Sequence, residues 1–192
     1  MSYEERIAAA TPHRAKLTAS DFMLLNHAGA FSNYARSELI DGDVYVVNAT
    51  YRRHAWIELK LLLALTAALE GRPDGLTAIY ECSSLLSETS LPQPDIVLTT
   101  EPQGDGPIPL ASIRLIIEVA DASLAADLGV KADLYARYSV PEYWVADVEG
   151  RRIVRHWSPE SGAYRACDEV PFGTEAASCT IEGLVISTDA LL

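Results

Sequence analysis

The run Ile113-Arg114-Leu115-Ile116-Ile117-Glu118-Val119 constrains this chain more than any other segment. It is apolar and rich in β-branched residues, so it predicts a strand in the interior of a sheet. The twofold alternation of a strand places Glu118 on one face with Ile116 and Arg114, and turns Leu115, Ile117 and Val119 to the other. A carboxylate held alone among aliphatic side chains carries a raised pKa. A metal ion or another cation nearby reverses that shift and gives the residue a reason to be there. The plainer alternatives are a half-wetted strand end or a pair with an arginine.

The rest of the chain arranges itself around that strand. Residues 1–17 read as a polar N-terminal arm, and residues 18–192 as a single domain. Thr18 is placed to cap a short helix, with Asp21 reaching back to it and Gly29 as its stop. Asp41-Gly42 between Ser37-Glu38-Leu39-Ile40 and Asp43-Val44-Tyr45-Val46-Val47 predicts a hairpin. Ile57, Leu61, Ala64, Leu65 and Ala68 recur at helical spacing and predict a long helix from about His54 to Glu70, ended by Gly71 and Pro73. Strands are expected at Leu76–Tyr80, Asp95–Leu98 and Ile113–Val119, with a Gly/Pro-rich loop from Pro102 to Pro109. A helix over Leu124–Tyr138 comes next, then strands at Glu142–Asp147 and Arg152–Trp157. From Tyr164 onward the tail reads as short strands and turns such as Ser178–Ile181. This order predicts an α/β (α+β) domain, a mixed sheet flanked by helices.

Bulk properties narrow the function. A formal net charge of −12 argues against gripping nucleic acid by bulk charge, because that affinity comes from Lys and Arg neutralising phosphates. A local basic patch from Arg36, Arg52, Arg53, His54, Arg151, Arg152 and Arg155 stays open beside the alternative of solvated arginines balancing an acidic surface. Cys82, Cys167 and Cys179 are odd in number and lack zinc-ligand spacing, which fits reduced thiols. With no long apolar span and no leader, the expectation is a cytoplasmic protein that does not enter the membrane.

Two further residues join Glu118 in a chemical set. Asp95, in Gln93-Pro94-Asp95-Ile96-Val97-Leu98, opens the neighbouring strand; alone, Pro-Asp is ordinary turn chemistry. Lys131 shares a helical stripe with Leu124, Leu128, Tyr135 and Tyr138, an unusual place for a lysine unless it has a buried partner. A surface ion pair with Asp127 is the bland alternative. Two carboxylates can hold Mg²⁺, with Mn²⁺ as a substitute. The ion polarises a phosphate and lowers the pKa of bound water, and the lysine adds a fixed charge. That is the minimum set for hydrolysing a phosphodiester.

These residues also resemble a known family. Gln93-Pro94-Asp95, Glu118-Val119, Asp127-x-x-x-Lys131-x-x-x-Tyr135 and Val140-Pro141-Glu142-Tyr143-Trp144-x-x-Asp147 are similar to the Uma-two family, restriction-endonuclease-like members of the PD-(D/E)XK nuclease superfamily. Glu38-Leu39-Ile40-Asp41-Gly42 and His54 fit as well, so the resemblance spans residues 18 to about 165. It implies a restriction-endonuclease-like core acting on DNA, with Asp95 and Glu118 as metal ligands and Lys131 as catalytic lysine. The Val119 carbonyl would complete the metal set. The superfamily's usual lysine position, two residues after the acid, is Ala120; the resemblance places the lysine on the next helix, at Lys131. Glu38 matches the family's N-terminal acid, as ligand or water-orienting group, or else as a cap or ion pair of the hairpin. His54 is expected to start its helix rather than act as a base, and Tyr135 to pack rather than react. Asp121 stands where the family carries a serine, and could add a ligand, repel phosphate or cap the helix. The alternative function is a catalytically weak scaffold that binds a protein or forms a homodimer, with Tyr143 and Trp144 as candidate interface aromatics.

Overall fold

The computed structural model describes residues 15–47 and 51–192; most of the expected N-terminal arm lies outside them. Helix α1, Ala19–His27, opens with the expected reciprocal cap: Thr18 accepts from the Asp21 amide, and the Asp21 carboxylate accepts from the Thr18 amide. Hairpin strands β1 (Arg36–Ile40) and β2 (Asp43–Val47) turn through Asp41 at φ 50° and Gly42 at φ 80°. That left-handed pair matches the twist of an antiparallel hairpin.

A six-stranded sheet forms the body. Its strands are β3 (Thr77–Tyr80), β5 (Ile96–Thr99), β7 (Ile113–Ala120), β8 (Glu142–Asp147), β9 (Arg152–Glu160) and β10 (Ala163–Pro171), in the order β10-β9-β8-β7-β5-β3. Short strands β4 (Ser84–Leu85) and β6 (Ile108–Pro109) pair outside it, as do β11 (Glu175–Ala177) and β12 (Val185–Ser187). Every neighbour in the main sheet is antiparallel except β7 and β8. A parallel pair needs a crossover, and the helical segment between residues 124 and 137 supplies it.

The sheet is covered on both faces, which is why β5, β7 and β8 are buried along nearly their whole length and mostly apolar, with Glu118, Glu142 and Asp147 as buried exceptions. Helix α2 (Arg52–Leu69) packs Ile57, Leu61, Leu65 and Leu69 against Ile96, Leu98, Leu115, Ile117, Trp144 and Ala146. The crossover packs Ala132, Leu134 and Tyr135 against Val97, Ile116, Tyr143 and Val145. Glu118 falls on the crossover side, as strand alternation predicts. Tyr143 and Trp144 are fully buried, one on each face, so neither lines an interface. No helix among the described residues is long and apolar enough to cross a membrane.

Three expectations are corrected. The crossover is not one regular helix. It runs as Leu124–Ala126, a π-helical turn Asp127–Lys131, and Ala132–Arg137, together α3. The Asp127 carbonyl at this widened turn accepts the Tyr143 hydroxyl at 3.0 Å. The ninth strand does not stop at Trp157 but continues through Pro159 to Glu160. Pairing with β8 ends at Trp157, so Pro159 lies where one edge of β9 is free and a missing amide costs little. Its partner β10 is a single nine-residue strand whose alternating exposure masks it in the sequence.

The third correction is Ser178–Ile181, which is no strand. It wraps the buried Glu142 carboxylate. Oε2 accepts from Ser178 Oγ (2.6 Å), Thr180 N (2.9 Å) and Thr180 Oγ1 (2.7 Å); Oε1 accepts from Cys179 N (3.0 Å) and Trp144 Nε1 (2.6 Å). The tail is thereby locked to a central strand. Glu142→Ala leaves the buried Trp144 indole and the part-buried donors of residues 178–180 without their acceptor, and we expect a loss of about 1–3 kcal/mol in urea unfolding. Truncation of an exposed acid such as Glu160 (69% exposed side chain) serves as the control and should shift stability by less than about 0.5 kcal/mol.

Candidate active site at the ends of β5 and β7

β5 and β7 run antiparallel with Ile96 opposite Ile117. Extending that register by one residue sets Asp95 opposite Glu118, so the two acids lie side by side at one end of the sheet. The segment joining β3 to β5 folds back over the hairpin, where Leu39 and Leu91 exchange backbone hydrogen bonds of 3.2 and 2.7 Å. This docks β1 beside the acids. Arg36, Glu38 and Ile40 share one face of β1 by the twofold repeat, and all three line the same cavity. That cavity has a volume of about 520 Å³ and is also lined by His54, Asp95, Glu118, Val119, Asp121 and Lys131.

The expected residues do converge. Lys131 Nζ lies 2.8 Å from Glu118 Oε1 and 3.3 Å from Glu38 Oε1. Glu38 Oε1 also accepts from the Gln93 amide at 3.1 Å, which fixes the hairpin acid against the strand-end loop. Asp127 makes no ion pair with Lys131; it hydrogen-bonds Ser123 Oγ, and it acts on the lysine through space. Tyr135 does more than pack, since its hydroxyl donates to Glu118 Oε1 at 2.8 Å. The i, i+4 pair Lys131 and Tyr135 therefore grips one carboxylate oxygen from α3. Val119 donates its amide to Asp95 Oδ2 at 2.7 Å. In an extended strand a residue's N–H and C=O share an edge, so the Val119 carbonyl looks past the end of β5, on the side of Asp95.

Two of the basic residues belong to this site, Arg53 pairs with an acid that lines the cavity, and two others are paired elsewhere. Arg36 Nη1 donates to Asp95 Oδ1 at 2.7 Å, and His54 Nε2 lies 3.2 Å from Asp95 Oδ2. Glu58, one turn along α2, sits 3.7 Å from His54 Nδ1. Arg53 pairs with Asp121, Arg152 with Asp147 and Glu169, and Arg155 with Asp168. The Arg53 pair neutralises Asp121, which does not cap α3.

Sequence patterns for the missed partners existed. Glu58 lies on the Leu61–Leu65 stripe of α2, a carboxylate on a buried face that merits the same question as Lys131. Arg36 follows from Glu38 by alternation.

Acids outnumber bases here, and the ionisation states follow. Burial pushes the Glu118 carboxyl up, and Asp95, Asp127 and Glu38 reinforce it against Lys131, to about 8. Burial and the Asp95 charge push Glu58 up to about 7. Burial works against the Asp95 anion too, but His54, Arg36 and the Val119 amide hold it at about 2. Burial alone would lower Lys131 and Arg36; their acidic neighbours raise both instead.

A profile of the family described as Uma2, putative restriction endonuclease, matches residues 20–189. No curated protein matches the sequence. Among solved structures, the crystal structure of a putative nuclease belonging to DUF820 from Anabaena variabilis ATCC 29413 aligns with a TM-score of 0.68 at 14% identity, covering 91% of this chain and 97% of that one. At that identity the likeness establishes a shared fold.

These shifts set the pH dependence of stability. Folded Glu118 and Glu58 keep protons that the unfolded chain, titrating near 4.5, has released. Their contribution is full below that value and is lost as pH rises through 7 to 8. Asp95 acts oppositely, contributing above 3.8 and losing it toward 2. In metal-free protein the urea midpoint should fall between about pH 5 and pH 8, and Glu118→Gln should flatten that fall.

Proposed function

The chain belongs to the Uma2 family, and on that premise we propose that it is a Mg²⁺-dependent endonuclease hydrolysing DNA phosphodiester bonds, with Mn²⁺ as a substitute ion. One observation carries this reading: Asp95, Glu118, Glu38 and Lys131, from four separate elements, meet in one cavity. The residues fit a hard dication. Their donors are carboxylate and carbonyl oxygens, and a dication would relieve both the burial and the neighbouring acids that lift Glu118.

Asp95, Glu118 and the Val119 carbonyl would hold the metal. Bound there, it would polarise the scissile phosphate and acidify a water. Lys131 would place a fixed positive charge beside the phosphate and orient the attacking water, with Glu38 receiving that water's proton or aligning it. Tyr135 positions Glu118, and Arg36 positions Asp95, each through its hydrogen bond. DNA would be held weakly through these few contacts, consistent with the chain's net charge of −12.

A second reading, a dimerising or protein-binding scaffold, has its own support. The outer face of α2 exposes Trp56 (60%), Leu59 (44%) and Leu63 (60%) at helical spacing. A homodimer through this face should appear in sedimentation, and Leu63→Glu should dissociate it.

Calorimetric titration separates the two functions. We expect saturable Mg²⁺ or Mn²⁺ binding in the wild type, lost in Asp95→Ala, and cleavage of plasmid or single-stranded DNA only where the metal binds. Lys131→Met should keep metal binding while cleavage falls by about 10²–10³-fold. Because the ligands bind as anions, affinity should rise as pH approaches 8. No metal binding at millimolar concentration would favour the scaffold.

A further inference from the structure

Three buried side-chain nitrogen or oxygen atoms among the described residues lack a hydrogen-bond partner: His54 Nδ1, Glu58 Oε1 and His156 Nδ1. Two of the three lie together. His54 and Glu58 are one turn apart on α2, so both project from the same face. Glu58 is only 9% exposed. The separation of His54 Nδ1 from Glu58 Oε2, 3.7 Å, is too long for a hydrogen bond. The two groups are therefore near one another without satisfying one another. An unsatisfied buried carboxylate oxygen is costly, and packing alone gives it no compensation.

The same cluster contains Asp95. One ligand atom from each of His54, Glu58 and Asp95 lies within 4.8 Å of the other two. Three donors this near one another can be drawn onto one ion by small side-chain adjustments, ligand bonds being about 2.0–2.2 Å. We propose that His54, Glu58 and Asp95 form a second cation site, selective for a first-row transition dication such as Mn²⁺, Co²⁺ or Zn²⁺, that shares Asp95 with the Glu118 site. The imidazole sets the selectivity. Nitrogen donors favour transition ions, whereas Mg²⁺ and Ca²⁺ take oxygen. The orphaned Glu58 oxygen and the free imidazole nitrogen become ligands or partners of metal-bound water. Arg36, on the other Asp95 oxygen, stays in place as its fixed counter-charge.

This site stands apart from the nuclease reading except for the shared Asp95, and the test keeps the two separate. Co²⁺ is titrated into wild type, Glu118→Gln, His54→Gln and Glu58→Gln, followed by visible absorption and by histidine side-chain ¹⁵N spectra. In Glu118→Gln, where the first site is lost, Co²⁺ binding should persist, with His54 as the perturbed imidazole. Affinity should fall at least about tenfold when His54→Gln or Glu58→Gln is combined with Glu118→Gln. A large excess of Mg²⁺ should not displace the ion. Circular dichroism and urea unfolding identify folded variants, and either α2 variant suffices if the other fails to fold. Absence of Co²⁺ binding in Glu118→Gln, or binding there that neither α2 substitution weakens when combined with it, overturns the second site while leaving the nuclease reading intact. Co²⁺ binding that persists in Glu118→Gln, with neither Mg²⁺ binding nor DNA cleavage in the wild type, would overturn the nuclease reading and uphold this one.

Discussion

The contact on which the site depends is the grip of Lys131 and Tyr135 on one oxygen of Glu118. A carboxylate at the edge of a closed apolar layer is expensive unless charge and hydrogen bonds reach it. Here both come from α3, the crossover that the parallel pairing of β7 and β8 demands. Topology and electrostatics thus meet in one element. The connection that makes the sheet possible also delivers the cation that makes its acid tolerable.

Around that contact the charge is deliberately unequal. Asp95, Glu118, Glu38, Glu58 and Asp127 face Lys131, Arg36 and His54. The imbalance does not spread evenly. Arg36 and His54 hold Asp95 firmly as an anion, while Glu118, deeply buried and with more acids than bases near it, keeps its proton to higher pH. Two adjacent acids with opposite displacements are a common property of sites that bind cations or move protons.

Much of this was legible in the residues themselves. The alternation of β7 gave the correct face for Glu118, and the helical stripe through Leu128, Lys131 and Tyr135 pointed the lysine at a buried partner. Asp-Gly fixed the hairpin and hence the approach of Glu38. What stayed hidden depended on contacts made across the chain. His54 and Glu58 become meaningful only once Asp95, some forty residues later, is packed against α2. The π-helical turn left no clear mark in the side-chain pattern, because Leu124, Leu128 and Tyr135 still reach the core side. β10 was obscured because alternate residues face solvent, and Ser178–Ile181 because its amides serve a carboxylate instead of a neighbouring strand.

The Glu142 lock has a consequence for how the chain is made. Its carboxylate belongs to a central strand, yet most of its donors are synthesised 36–38 residues later. During translation the middle of the sheet therefore carries an uncompensated charge until the tail has left the ribosome. Closing the interior before residues 178–180 arrive would bury that carboxylate without most of its donors. Quality control by the cell would accordingly see a chain lacking residues 178–180 as a molecule with a charged, unfinished centre, even though every residue lining the acidic cavity is present.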